Sequence, residues 1–219
     1  MFRATKYSDR VTSFFGAWAA ARSCGLKSRR GFSLAEALIA IAIAAIAAGA
    51  LLLGTHASMQ NAEEAWKRTV AAGMAQQLMD EIVGNKYCAY PDNPYETQLG
   101  RSPWEAAGTG RERYNDIDDY NGLRIQPPSD LWGVRLGIDD GQGGVRHLAF
   151  QAPTAVLDRW RQEVDVYYVN ENNPSQRLAS GQVSNARAVE VRIMENDPQR
   201  GWRQLARLRR IVAYVPPPP

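Results

Sequence analysis

Arg29–Glu36 reads RRGFSLAE, and residues 37–54 continue it as ALIAIAIAAIAAGALLLG. From Phe32 to Gly54 there are 23 residues, and Glu36 is the only charge among them. At about 1.5 Å rise per residue a helix of that length crosses a bilayer core. A carboxylate that deep costs a few kcal/mol in hydrocarbon, so a segment used only as an anchor does better with leucine there. Glu36 therefore calls for a partner, and Ala40, Ala44, Ala48 and Gly49 give the helix small side chains that let neighbouring helices come close enough to bring one.

The flanks set an orientation. Lys27, Arg29 and Arg30 precede the apolar run and Glu63 and Glu64 follow it, so the positive-inside bias places the N-terminus in the cytoplasm and the body on the far side. A secretory signal peptide also starts basic, but its apolar core spans only about 7–15 residues before a small-residue cut site. The AAIAAGA stretch keeps that alternative open, with a mature start near Ala57 or Ser58.

The chain has 219 residues, with 26 Lys and Arg against 23 Asp and Glu. Residues 1–31 hold seven basic side chains and one acid, a balance of +6, whereas the whole chain carries +3; residues 32–219 therefore carry −3. That sign argues against a nucleic-acid-binding body, and the basic pI belongs to the leader. Cys24 lies in the leader and Cys88 stands alone beyond it, so the body has no disulfide framework. Cys88 reads as a small, partly buried side chain. No H-E-x-x-H, G-x-S-x-G, CxxC or phosphate-binding glycine motif is present, and the expectation is a chain that is not an enzyme.

These residues resemble the type IV pilin and type II secretion pseudopilin superfamily. Its signature is matched by Gly31, Phe32, Ser33, Leu34 and Glu36 ahead of the apolar run, with Lys27, Arg29 and Arg30 as the basic flank. The resemblance implies cleavage by a prepilin peptidase between Gly31 and Phe32 and N-methylation of Phe32. Lys27, Arg29, Arg30, Ser33 and Leu34 then serve cleavage recognition. It implies assembly with other pilin or pseudopilin subunits through the N-terminal helix, on an inner-membrane assembly platform. The chain is expected first as a single-pass inner-membrane protein with a periplasmic C-terminal domain, and then in a pilus or pseudopilus. Cutting at Gly31 creates a cationic amine on Phe32, and Glu36 of one subunit can pair with the amine of the next. Many main pilins carry a proline about twenty residues into the mature helix; here AGALLLGTH stands in that place, which points to a minor subunit.

Beyond the apolar run Met59, Ala62, Trp66, Val70, Met74, Leu78 and Ile82 recur at three- and four-residue steps, predicting a helix that continues to Val83 and stops at Gly84–Asn85. The expected organisation is a leader over 1–31, a transmembrane helix over 32–54, its amphipathic continuation over 55–83 and an irregular region over 84–132. An antiparallel sheet over 133–215 and a proline tail over 216–219 follow. Candidate strands are Val134–Ile138, Val145–Phe150, Glu163–Val169, Ala188–Met194 and Leu205–Val215, with connections too short for helical crossovers. The fold class is thus α+β and pilin-like.

The segment RERYNDIDDYNG contains Asp116, Asp118, Asp119, Tyr120 and Gly122, and with AQQLMDEI at 75–82 it is similar to minor pilins of the mannose-sensitive haemagglutinin type. Three acids in four residues must be solvated or neutralised. Two readings stand: a surface turn braced by Arg111, Arg113 and Arg124 with no cofactor required, or a Ca²⁺ site on Asp116, Asp118 and Asp119 with spacing unlike an EF-hand. Two rival functions also stand. One is a membrane-anchored periplasmic binding or enzyme domain. The other is a DNA-uptake pilin using Arg200, Arg203, Arg207, Arg209 and Arg210, with no nucleic acid favoured given the charge of the body.

Overall fold

Helix α1 runs from Leu34 to Val83, 50 residues without a proline. The computed structural model describes residues 31–89, 93–152 and 154–216. Lys27, Arg29, Arg30, the rest of the leader and residues 217–219 lie outside them. Two units divide the chain, Met1–Leu53 and Gly54–Pro219.

In the first unit Ser33 starts the helix. Its Oγ accepts the Glu36 amide at 3.1 Å, and its carbonyl accepts the Ala37 amide at 3.1 Å. The arrangement satisfies an amide that a helix start leaves orphaned, and Glu36 sits in the first turn where the helix dipole favours an anion. An 18-residue window of this helix has mean hydropathy 2.6 and none of it is buried.

In the second unit α1 changes character. Ala71, Met74, Ala75, Leu78, Met79 and Ile82 are buried, at the three- and four-residue steps that keep one helical face against a core. The helix closes where the Gly84 amide reaches Asp80 O and the Asn85 amide reaches Ile82 O.

That face packs on an antiparallel sheet of β1 (Leu123–Ile125), β2 (Trp160–Asn170), β3 (Asn173–Arg177), β4 (Ala186–Asp197) and β5 (Gly201–Ala213), in the order β1-β2-β4-β5, with β3 on the end of β2. The register pairs Val164 with Val191 and Val166 with Val189, and these share one core with the helix. The alternate positions pair Glu163 with Arg192 and Asp165 with Glu190 on the outer face, as strand geometry requires. Turn chemistry closes the β4–β5 hairpin. Asp197 accepts the amides of Gln199 and Arg200, and Gly201 takes φ +74°.

Ionic pairs also tie helix to sheet. Arg203 of β5 grips Glu64 through two nitrogens at 3.0 and 2.9 Å, and Lys67 meets Glu195 of β4 at 3.1 Å. Burial does the bulk of the holding and these pairs fix the register.

Two expected strands do not form. Val134–Ile138 and Val145–Phe150 contribute only single bridges, Ser129 to Arg135 and Asp139 to Val145, and Leu148–Phe150 is a 3₁₀ turn. Gly133, Gly137, Gly141 and Gly143 all have positive φ, so the backbone reverses before a ladder can grow. Asp130 and Asp140 then take up loop amides that a strand would have paired. The sheet instead draws β1 from the region expected to be irregular, and β3 from NPSQR, a stretch exposed at every position. A four-residue helix α2, Thr154–Leu157, leads into β2.

Ile82 has no exposed surface and Ile46 is 74% exposed. Ile82→Ala is expected to lower unfolding stability by about 2–5 kcal/mol in urea titrations followed by tryptophan fluorescence. Ile46→Ala in the same chain should leave the midpoint unchanged.

Candidate functional site

Gly31, Phe32 and Ser33 precede the helix in non-helical, exposed backbone, and Phe32 is 77% exposed. A Cβ built at Gly31 meets nothing within 4 Å, so the chain's own packing does not demand glycine there. Exposed, unpaired backbone is the form in which a peptide bond is open to a protease. Glu36 lies one turn beyond, exposed, and its carboxylate has no partner among the described residues. Leu38, Ile39, Ile41, Ile43 and Ile46 around it are exposed to between 60% and 74%. So continuous an apolar surface on an extended helix marks a membrane or a protein partner.

Residues 26–52 match the family described as the prokaryotic N-terminal methylation motif. The chain carries a prepilin-type methylation motif. This is a type IV pilin signature, and it stands on an α+β, pilin-like frame of long N-terminal helix and antiparallel sheet. No curated protein and no solved structure matches the chain. The motif spans Lys27, Arg29, Arg30, Gly31, Phe32, Ser33, Leu34 and Glu36, and it makes the chain a pilin-like prepilin substrate. Together with the apolar helix it suits membrane anchoring.

The acidic segment has a different location from the one expected. Asp116, Asp118 and Asp119 are buried at 3%, 6% and 3% exposure, so they form no surface turn. The three expected arginine braces are used elsewhere. Arg111 donates to both oxygens of Glu81 at 2.7 and 2.9 Å, Arg113 reaches the Trp104 carbonyl and stacks on its ring, and Arg124 turns to Asp165 on the sheet. The reason is topological: the loop folds under the helix end, where Arg111 is itself buried but faces Glu81 of α1, while Arg113 is half-buried and Arg124 exposed, so the counter-charge for Asp118 comes from a residue distant in sequence. Gly110 makes the entry possible, since a Cβ there would lie 2.4 Å from Leu131 O, and the Arg111 amide donates to that carbonyl at 2.7 Å.

Backbone amides and one distant arginine neutralise the acids. Asp116 accepts the amides of Ala89, Asp118 and Asp119 at 2.9, 3.1 and 3.3 Å, and Asp119 accepts those of Asn115 and Asp116 at 2.8 and 3.3 Å. Asp118 takes Arg187 of β4 at 2.9 Å. The Arg187 guanidinium is fully buried, donates also to Tyr87 O, Pro94 O and the Tyr168 hydroxyl, and lies 4.3 Å from the centre of the Tyr87 ring. Nearby, Glu81 also accepts the Tyr120 hydroxyl at 2.9 Å, which locks the loop to α1. Among the described residues no group of three or more His, Cys, Asp or Glu side chains is placed to hold a metal ion.

Reading the sequence missed Arg187 and Glu81. The signal for Arg187 was parity: it shares the inward phase of Val189, Val191 and Ile193, so a charge there needs a buried counter-charge. Three of the four arginines of β5 are paired with acids, Arg203 with Glu64 and Glu195, Arg207 with Glu190, and Arg210 with Asp80, and Arg209 donates to the Tyr167 hydroxyl.

Burial pushes the carboxyls of Asp118 and Asp119 up to about 7. For Asp118 the hydrogen bond with Asp116 adds to this and Arg187 opposes it; for Asp119 the Asn115 amide opposes it. An unfolded aspartate titrates near 3.9. The folded chain therefore binds more protons between about pH 4 and 7, and the stability these groups add at low pH is lost as pH rises to about 7. Urea titrations of the chain from Gln60 onward should show stability falling across that window. Asp118→Asn, whose amide oxygen still accepts from Arg187, should flatten the slope. Below about pH 4 the opposite trend sets in, because arginine pairing holds Glu64 and Asp165 below the usual carboxylate range against the opposing effect of burial.

Proposed function

We propose that the chain is a minor subunit of a type IV pilus or type II secretion pseudopilus, made as a membrane-anchored prepilin. The observation that carries this reading is the methylation motif placed on an exposed Gly31–Phe32 junction, one turn ahead of an unpartnered Glu36 in a bare apolar helix. A prepilin peptidase cuts after Gly31 on the cytoplasmic face and methylates Phe32. The helix remains in the inner membrane with the sheet domain in the periplasm until the assembly platform extracts it into a filament.

The chemistry of assembly follows from charge. A lone carboxylate costs about 3 kcal/mol at helix-centre depth in a bilayer, and Glu36, in the first turn, carries a smaller part of that cost. The amine that cleavage creates on Phe32 of an incoming subunit offsets that cost when it meets Glu36 of the subunit already in place, and the pair sets the stagger between the two helices. The missing helix proline supports a minor role over a shaft role. The DNA-uptake alternative loses support because three of its five arginines, Arg203, Arg207 and Arg210, are engaged by carboxylates, and Arg209 donates to the Tyr167 hydroxyl and the Pro174 carbonyl. The Asp116–Gly122 segment is structural in this reading and needs no cation.

Intact-mass measurement of the protein from its native host should give residues 32–219 plus one N-methyl group. A chain that retains the leader, or that begins near Ala57, contradicts the reading. Gly31→Leu should block the cut while leaving the denaturation midpoint of the sheet domain unchanged, since the glycine has no packing neighbours in this chain.

A further inference from the structure

A cleft of about 600 Å³ opens between strand β1 and the loops that carry Gly110 and Gly133. It lies wholly in the second unit and shares no residue with the methylation motif. Its two loop walls meet backbone to backbone: a Cβ on Gly133 would lie 2.7 Å from Thr109 O, and one on Gly110 2.4 Å from Leu131 O. Four arginines line the cleft, Arg101, Arg111, Arg124 and Arg135, and among the described residues no aspartate or glutamate does. Residues 32–219 as a whole carry −3, so this concentration of one sign is local.

Three of the four arginines are fixed by acids that stand outside the lining. Arg111 is 2% exposed and takes Glu81, Arg124 takes Asp165, and Arg135 takes Asp158. Those pairs hold the guanidinium groups in place and offset much of their charge. Arg101 is different. It has no acidic partner among the described residues; its Nη1 donates to the Tyr114 hydroxyl at 2.8 Å, and its guanidinium carbon lies 5.8 Å from the centre of that ring. Tyr114 is buried and also lines the cleft, and its hydroxyl proton meets no acceptor among the described residues. The cleft thus offers an uncompensated guanidinium with a phenol held beside it as a second donor. A planar guanidinium can meet two oxygens of a carboxylate or phosphate at once, which gives it both strength and orientation.

Size and lining narrow the ligand. Small-molecule sites measure about 300–1,000 Å³, and the cleft falls within that range. Its lining is mainly polar, so an apolar molecule gains little there and a hydrophilic anion gains most.

We propose that this cleft binds a small hydrophilic molecule bearing a carboxylate or phosphate, of the size of a single acidic sugar, with Arg101 as the anchoring cation. The inference does not rest on the assembly reading and stands or falls separately from it.

The test is calorimetric titration of the full-length chain, purified in a non-ionic detergent and a low-salt, phosphate-free buffer. Glucuronate and inorganic phosphate are the two probes, and glucose is the neutral counterpart of the first. The expected result is saturable binding of glucuronate, of phosphate or of both, and none of glucose; the arm that responds identifies the oxyanion. Arg101→Gln should weaken that binding about tenfold or more. Arg101 is exposed, so the fold does not depend on it, and Arg135→Gln, on another segment of the lining, is a second variant expected to weaken binding. Arg200→Gln removes the same charge from an exposed arginine outside the cleft and should leave binding unchanged. Saturation by neither anion at millimolar concentration, equal binding of glucose, undiminished binding by Arg101→Gln, or an equal loss with Arg200→Gln overturns the proposal.

Discussion

Among the described residues nothing buries the apolar first part of helix α1, and Glu36 is its one carboxylate. Every other feature of the molecule answers to that constraint. Residues 34–53 expose leucine and isoleucine along their length, a surface that water does not tolerate and that lipid or other helices must bury. Lipid can cover the leucines but offers nothing to Glu36. A second helix bearing an amine can cover both. Ser33 contributes by fixing where the helix begins, which holds the Phe32 junction outside the helix and Glu36 one turn inside it.

The other half of α1 is fastened by side chains, with charges placed where packing alone would leave the register loose. Glu81 accepts Arg111 and Tyr120 at the helix end, while Lys67 and Arg203 meet Glu195 and Glu64 nearer its exposed part. Arg187 joins the sheet to the segment between helix and β1 through Asp118 and two backbone carbonyls. Removing one partner of such a buried pair strands the other, at a cost of about 3–5 kcal/mol. Residues 64–81 of the helix are thus held firmly on the sheet.

The two parts of the molecule differed in how openly the sequence spoke. The apolar run, the motif from Gly31 to Glu36 and the helical period through Ile82 are local signals, and α1 ends at Val83 as the period predicts. The α+β arrangement with an antiparallel sheet was also legible, from short connections and alternating runs. The region from 84 to 150 was not, because its structure rests on long-range contacts. Asp118 finds Arg187 across 69 residues and Arg111 finds Glu81 across 30, whereas the arginines adjacent in sequence point elsewhere. Runs such as Val134–Ile138 had strand-like residues, but glycines at 133, 137, 141 and 143 in left-handed conformations turn the chain before it can pair. β3 escaped notice for the opposite reason, having no apolar alternation and pairing only as the return of β2.

On the proposed reading Glu36 is a partner for a neighbour's amine and not an anchor residue. Replacing it by Leu at native expression and comparing the membrane and sheared-filament fractions of the host by quantitative immunoblot separates the two. The account predicts that Glu36→Leu chains are cut at Gly31 and reach the membrane in normal amount, because the lone helix inserts at least as well without the charge. It also predicts that they fall at least tenfold in the filament fraction. Equal amounts of variant and native chain in filaments would contradict it.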